Sequence, residues 1–205
     1  MQFDQESINS FRTIINDELA HGVFLYDCAI RKEIENHLSI QLFESPLHMK
    51  ETLLKLVSYH VEIAKTKSII GFTEDDPALV TVATGVAMRT NLPFYSYDMQ
   101  DSGALSQFVR PETCPCSLLI PYSANDIQVN DIIKIFTDKM VPIKQVIALV
   151  EERPLKTDFE NLKVEYISIT NWNSIQERIK MFRNVMPEKM ASMLSLFGCD
   201  QIQRP

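Results

Sequence analysis

The residues of this chain best equipped for chemistry are carboxylates and short polar side chains placed where apolar runs give way to helical patterns. Leu118, Leu119, Ile120 and Pro121 form such a run, followed by Tyr122, Ser123, Ala124, Asn125 and Asp126. Val129, Ile132, Ile133, Phe136 and Met140 then fall on one helical stripe, so the stretch reads as buried strand, polar loop and amphipathic helix. A loop that closes on a helix N-terminus can receive an anion through its free N–H groups. Phosphate cradles generally rely on glycine, because only a residue without Cβ lets the backbone approach closely and adopt positive φ. No glycine occurs between Leu118 and Lys144, and Asp126 fits the N-cap position, so an ordinary strand-to-helix turn competes with a ligand site here.

Other carboxylates sit at the ends of other apolar runs. Thr73, Glu74, Asp75 and Asp76 precede Pro77, Asp98 and Asp101 follow 93–97, and Glu151 and Glu152 follow 145–150. A parallel sheet would gather these groups and Asp126 at one edge, where oxygen ligands could hold a divalent cation or an amine. The competing explanation is that they are helix caps and solvated carboxylates favoured by helix N-termini. Cys114-Pro115-Cys116 supplies two ligands where structural zinc takes four, so it reads as reduced thiols ahead of a strand. His21, His37, His48 and His60 show no metal-binding spacing and read as surface or satisfied core residues.

The elements that must position these groups follow from periodicity. Ile8, Phe11, Ile15 and Leu19 mark a helix over 5–20, with Gly22 as its stop. Leu38, Ile40 and Leu42 alternate as a strand does, within a small N-terminal subregion. Ser45-Pro46 starts a helix striped by Met49, Leu53, Leu56, Val57, Val61 and Ala64. Strands are expected at 68–72, 93–97, 117–120, 145–150 and 164–169, separated by helices. Leu79, Val82, Ala83 and Val86 stripe the helix after the first strand. Two closing helices are expected from Ile175, Ile179, Phe182 and Met186, then from Met190, Met193, Leu194 and Phe197.

A chain of 205 residues, 45% hydrophobic and 23% charged, fits one α/β domain with a substantial core. The formal charge of −7 disfavours nucleic acid or an anionic membrane as partner, since both demand clustered Lys and Arg. Met1 to Ser10 is too polar for a signal peptide, and no apolar run nears the roughly 20 residues that span a bilayer. A cytoplasmic protein is expected.

The chain resembles the orotate-type phosphoribosyltransferases of the type I phosphoribosyltransferase fold. The likeness is carried by Ile69-Ile70-Gly71-Phe72 with Asp76-Pro77-Ala78-Leu79, by 86–94, by Leu118-Leu119-Ile120 with its loop and helix, and by 146–153. It covers roughly residues 45–170. It implies a parallel sheet of about five strands flanked by helices, an N-terminal hood over 1–44, C-terminal helices over 171–205, and a homodimer.

The departures from the family fall on its chemistry. Pro121 and Tyr122 stand where the family places two acidic residues on the ribose hydroxyls of phosphoribosyl pyrophosphate. Asn125, Asp126, Ile127 and Gln128 replace its phosphate-cradling loop, and a carboxylate there repels phosphate by ~1–4 kcal/mol depending on local dielectric. Glu74, Asp75 and Asp76 occupy the pyrophosphate loop. The stretch 97–107, where orotate enzymes bring Lys and His over the reacting centre, contains no Lys, Arg or His. Phosphoryl and pyrophosphate chemistry needs cations or oriented N–H groups where negative charge builds up. The expectation is a pseudoenzyme with no catalytic residues, acting as a binding or regulatory module. The ligand contacts of a small molecule or nucleotide are then expected from Tyr122, Ser123, Ala124, Asn125, Asp126, Thr73, Asp75 and Asp76. The alternative is a divergent, active orotate or nucleobase phosphoribosyltransferase of nucleotide metabolism that uses Mg²⁺.

Overall fold

The computed structural model describes residues 3–26, 47–72, 77–97, 111–123, 126–152 and 162–185. Five helices, α1 (Gln5–Tyr26), α2 (Leu47–Ala64), α3 (Pro77–Thr90), α4 (Asp126–Asp138) and α5 (Trp172–Val185), accompany five strands. The strands are β1 (Ser68–Phe72), β2 (Phe94–Tyr97), β3 (Cys116–Ser123), β4 (Ile143–Glu151) and β5 (Glu165–Asn171). They form one parallel sheet in the order β2-β1-β3-β4-β5. The chain therefore leaves β1 toward one edge and returns to build the other, which makes the β1/β3 boundary the topological switch point.

The apolar stripes sort the helices onto two faces. Ile8, Ile15 and Leu19 of α1, Leu53, Leu56, Val57 and Val61 of α2, Leu79, Val82, Ala83 and Val86 of α3, and Ile175 and Ile179 of α5 pack with Ile69, Leu119, Ile147 and Ile169 of the sheet. Val129, Ile132, Ile133 and Phe136 of α4 pack on Ile70, Leu118, Ile120, Val146 and Ala148. Alternate residues of β1, β3 and β4 thus face opposite layers, and both faces of the central strands are apolar, as a parallel sheet covered by crossover helices requires. Tyr97 closes the second layer beside Phe136, with ring centroids 5.0 Å apart.

Polar contacts fix α1 and α5 against the edge strand. Arg12 Nη2 donates to the Ser168 carbonyl at 3.1 Å, Thr170 Oγ1 donates to Asn16 Oδ1, and Arg178 Nε lies 3.1 Å from Asp17 Oδ1. Asn171 ends β5 and caps α5 in one residue, its Oδ1 accepting the Ser174 N–H at 2.9 Å. Asp4 does the same for α1 through the Ser7 N–H.

Four expectations are corrected. α1 runs through Gly22 to Tyr26, because one interior glycine costs only about 1 kcal/mol against alanine and does not by itself stop a helix. β3 extends past Ile120 through Pro121 to Ser123. Proline cannot donate to a ladder, but the last registered β1 partner of β3 is Leu119, so Pro121 lies where β3 is paired on its β4 side alone. Met140 is 91% exposed, not part of the α4 stripe, since the helix ends at Asp138. His60 is neither a surface nor a satisfied core residue: its Nε2 is buried without a hydrogen-bond partner among the described residues. The expected strand near Leu38 and the second closing helix fall outside the described residues.

Few glycines are available to end helices, and other residues take the left-handed conformation instead. Lys65, Asn91 and Met140 have φ of 53°, 54° and 57°. After α3 and α4 the chain closes in the Schellman manner, Leu92 N–H donating to the Ala87 carbonyl at 3.1 Å and Val141 N–H to the Phe136 carbonyl at 2.9 Å. Met140→Gly should raise stability by about 0.5–1 kcal/mol in urea denaturation, because the left-handed strain of a Cβ outweighs glycine's added unfolded-state entropy. No gain would show that Met140 is unstrained.

Burial, helped by the Arg12 charge, lowers the pKa of His60 from 6.5 to about 4. Between those pH values the unfolded chain binds a proton that the folded chain refuses, so stability falls as pH drops from 6.5 through 4 and is unaffected above. In His60→Gln the urea midpoint should decline less over that window than in the parent. Equal declines would contradict a neutral, buried imidazole.

Candidate ligand site at the carboxyl edge of the sheet

The ends of the five strands are not level. Ser123 of β3 is in register with Glu151 of β4, and Glu151 with Asn171 of β5. On the other side Phe72 of β1 is level with Tyr97 of β2, and the last β1 to β3 pair is Gly71 with Leu119. β3 therefore overhangs β1 at the switch point. Open α/β sheets place ligands in that crevice, outside the carboxyl ends of the strands.

The overhanging end is stitched by its own side chains. Tyr122 is 6% exposed, packs with the layer of four helices, and donates its hydroxyl to Glu152 Oε2 at 2.8 Å. The Glu152 N–H donates to the Ser123 carbonyl at 2.9 Å. Ser123 is fully buried, and its Oγ accepts the Tyr166 hydroxyl at 3.1 Å. Glu151 is 8% exposed. The hydroxyls of Tyr122 and Tyr166 are thus spent on holding β3, β4 and β5 together.

Of the residues expected from sequence to touch a ligand, Tyr122 and Ser123 are brought together, as strand residues and not as loop residues. Asp126 opens α4. Thr73, Asp75, Asp76, Ala124 and Asn125 lie outside the described residues, as do Glu74, Asp98 and Asp101. Glu151 and Glu152 are at the edge as expected. Among the described residues no group of three or more His, Cys, Asp or Glu side chains is placed to hold a metal ion. Tyr166 was missed by sequence reasoning: it lies in β5, far along the chain from Ser123, and only strand order makes the two neighbours. Lys139, just past the far end of α4, lies 5.1 Å from the Tyr97 ring centroid and donates to that hydroxyl at 3.4 Å.

Solved structures share this fold. Orotate phosphoribosyltransferase from Aeropyrum pernix superposes with a TM-score of 0.52 at 13% identity, over 69% of this chain and 81% of that one. The fold is that of the type I phosphoribosyltransferases. Leishmania donovani UMP synthase matches with a TM-score of 0.58 at 11% identity, over 89% of this chain and 42% of that protein. A phosphoribosyltransferase from Corynebacterium diphtheriae gives 0.51 at 14% identity, over 79% and 98% of the two chains. A scan against protein-family models finds no match, and neither does a search of curated proteins. At these identities the phosphoribosyltransferase likeness is one of fold, and function has to be argued from the site. Among the described residues no helix is long and apolar enough to cross a membrane.

Tyr122→Phe should cost about 1 kcal/mol in urea denaturation, the net worth of a hydrogen bond to a carboxylate at a partly buried edge. A neutral effect would show that the hydroxyl does not tie β3 to β4.

Proposed function

We propose that this chain is a phosphoribosyltransferase-fold protein without transferase activity, working in the cytoplasm as a homodimeric binding or regulatory module for a small molecule or nucleotide. The observation that supports this reading best is the Tyr122 hydroxyl held on Glu152. Where the family sets acidic side chains toward the ribose hydroxyls, this strand end presents an aromatic ring turned into the core and a carboxylate already engaged by it. A buried donor spent on its own fold has nothing to offer a sugar, and releasing it leaves polar groups to be paired again.

The same edge fits Mg²⁺ poorly. Magnesium takes oxygen ligands in near-octahedral order, commonly one or two carboxylates plus substrate phosphates. Glu152 accepts a hydrogen bond from Tyr122 and Glu151 is buried. Neither is arranged with a third ligand among the described residues. Pyrophosphate as leaving group also demands positive charge or oriented N–H donors, whereas the neighbouring sequence supplies Glu74, Asp75 and Asp76.

Isothermal calorimetry with phosphoribosyl pyrophosphate and Mg²⁺ should give no binding at micromolar concentrations, and pyrophosphate release should be absent with orotate, uracil, adenine, guanine and hypoxanthine. Micromolar binding, or turnover with any of these bases, would establish the alternative, a divergent active phosphoribosyltransferase.

A further inference from the structure

At the amino end of the same sheet, opposite the ligand edge, two sulfurs approach each other. Cys114 Sγ and Cys116 Sγ are 3.9 Å apart, both as free thiols. Cys114 is half-buried, whereas Cys116 is fully buried as the first residue of β3. The surroundings hold Cys116 in place from several sides. Its N–H donates to the Pro142 carbonyl at 2.9 Å. Ser68 of β1 donates its hydroxyl toward Cys116 Sγ at 3.0 Å and toward the Thr113 carbonyl at 2.7 Å. The Lys67 N–H donates to the Pro115 carbonyl at 2.8 Å, fixing the residue between the two cysteines.

We infer that Cys114 and Cys116 form a peroxide-sensitive dithiol that closes to an intramolecular disulfide, with Cys114 as the reacting thiol and Cys116 as the resolving one. A disulfide needs its sulfurs about 2.05 Å apart, so the pair, 3.9 Å apart, has to close by about 2 Å. Two adjacent thiols at this separation can be oxidised to a disulfide through a sulfenic acid.

Exposure sets the order of events. Burial, and the neighbouring Cys114, push the Cys116 thiol up to about 12 against the opposing hydrogen bond from Ser68. Thiolate character and access govern attack on a peroxide, so the buried sulfur reacts second. In the first step the Cys114 thiolate attacks one peroxide oxygen. A sulfur–oxygen bond forms, the oxygen–oxygen bond breaks, and hydroxide leaves and takes a proton to become water. In the second step Cys116 Sγ attacks Cys114 Sγ. The sulfur–sulfur bond forms, the sulfur–oxygen bond breaks, and the departing hydroxide takes the Cys116 thiol proton as a second water. Two thiols and one hydrogen peroxide give one disulfide and two waters, with the peroxide reduced by two electrons.

The test uses the full chain, hydrogen peroxide and peptide mapping by mass spectrometry, with melting curves confirming that each variant is folded. The parent should yield a peptide carrying Cys114 and Cys116 that has lost two hydrogens, resists iodoacetamide, and regains two reactive thiols after reduction. Cys116→Ser should accumulate a sulfenic acid at Cys114 that dimedone traps. Cys114→Ser should leave Cys116 unoxidised at the same peroxide dose. The inference is overturned if both thiols stay alkylatable, if Cys114 pairs instead with Cys28 or Cys199, or if Cys116 oxidises equally well without Cys114.

Discussion

The central strand β3 has parallel partners on both sides and apolar layers on both faces, and this double constraint positions everything else. All eight of its residues are buried except the half-buried Pro121. Every backbone group of such a strand has to find a partner in the neighbouring strands, so its register settles the register of β1 and β4 together. Because β1 ends early, the last turn of β3 is secured by β4 alone. Tyr122, Ser123, Glu152 and Tyr166 complete that attachment with hydrogen bonds.

The consequence for function is electrostatic as well as geometric. An anionic sugar phosphate is held by backbone N–H groups brought close on glycine and by cations. This chain has five glycines in all and a formal charge of −7. Its scarcity of glycine is visible away from the site too, where Lys65, Asn91 and Met140 accept left-handed backbone to end helices. The scaffold of a phosphoribosyltransferase tolerates that economy, since crossover helices and parallel strands need apolar stripes more than they need flexible turns. Phosphate-cradling loops in general do rely on glycine.

Much of the scaffold was legible in the sequence because its signals are periodic. Leu53, Leu56, Val57 and Val61, and likewise Leu79, Val82, Ala83 and Val86, fall on single stripes and pack as one layer. The apolar runs at 68–72 and 145–150 became β1 and β4 with ends shifted by at most two residues. What was misread depended on neighbours in space. Pro121 looks like the end of a strand unless the short reach of β1 is known, and Met140 looks like part of a stripe unless the end of α4 is known. The pairing of Tyr122 with Glu152, and of Ser123 with Tyr166, spans 30 and 43 residues, so no local pattern reveals it. The buried, unpaired nitrogen of His60 depends on the packing of α1 against α2 and is equally silent in sequence.

Both edges of the sheet are therefore chemically differentiated: hydroxyls and carboxylates locked together at one end, two thiols facing each other at the other. The decisive measurement for the ligand edge is a crystal structure of the chain soaked with ribose 5-phosphate. The stitched strand end predicts no phosphate bound between Ser123 and the start of α4, with the Tyr122 hydroxyl still on Glu152. A phosphate seated there, with Tyr122 turned away from Glu152 to meet the ribose, would contradict it.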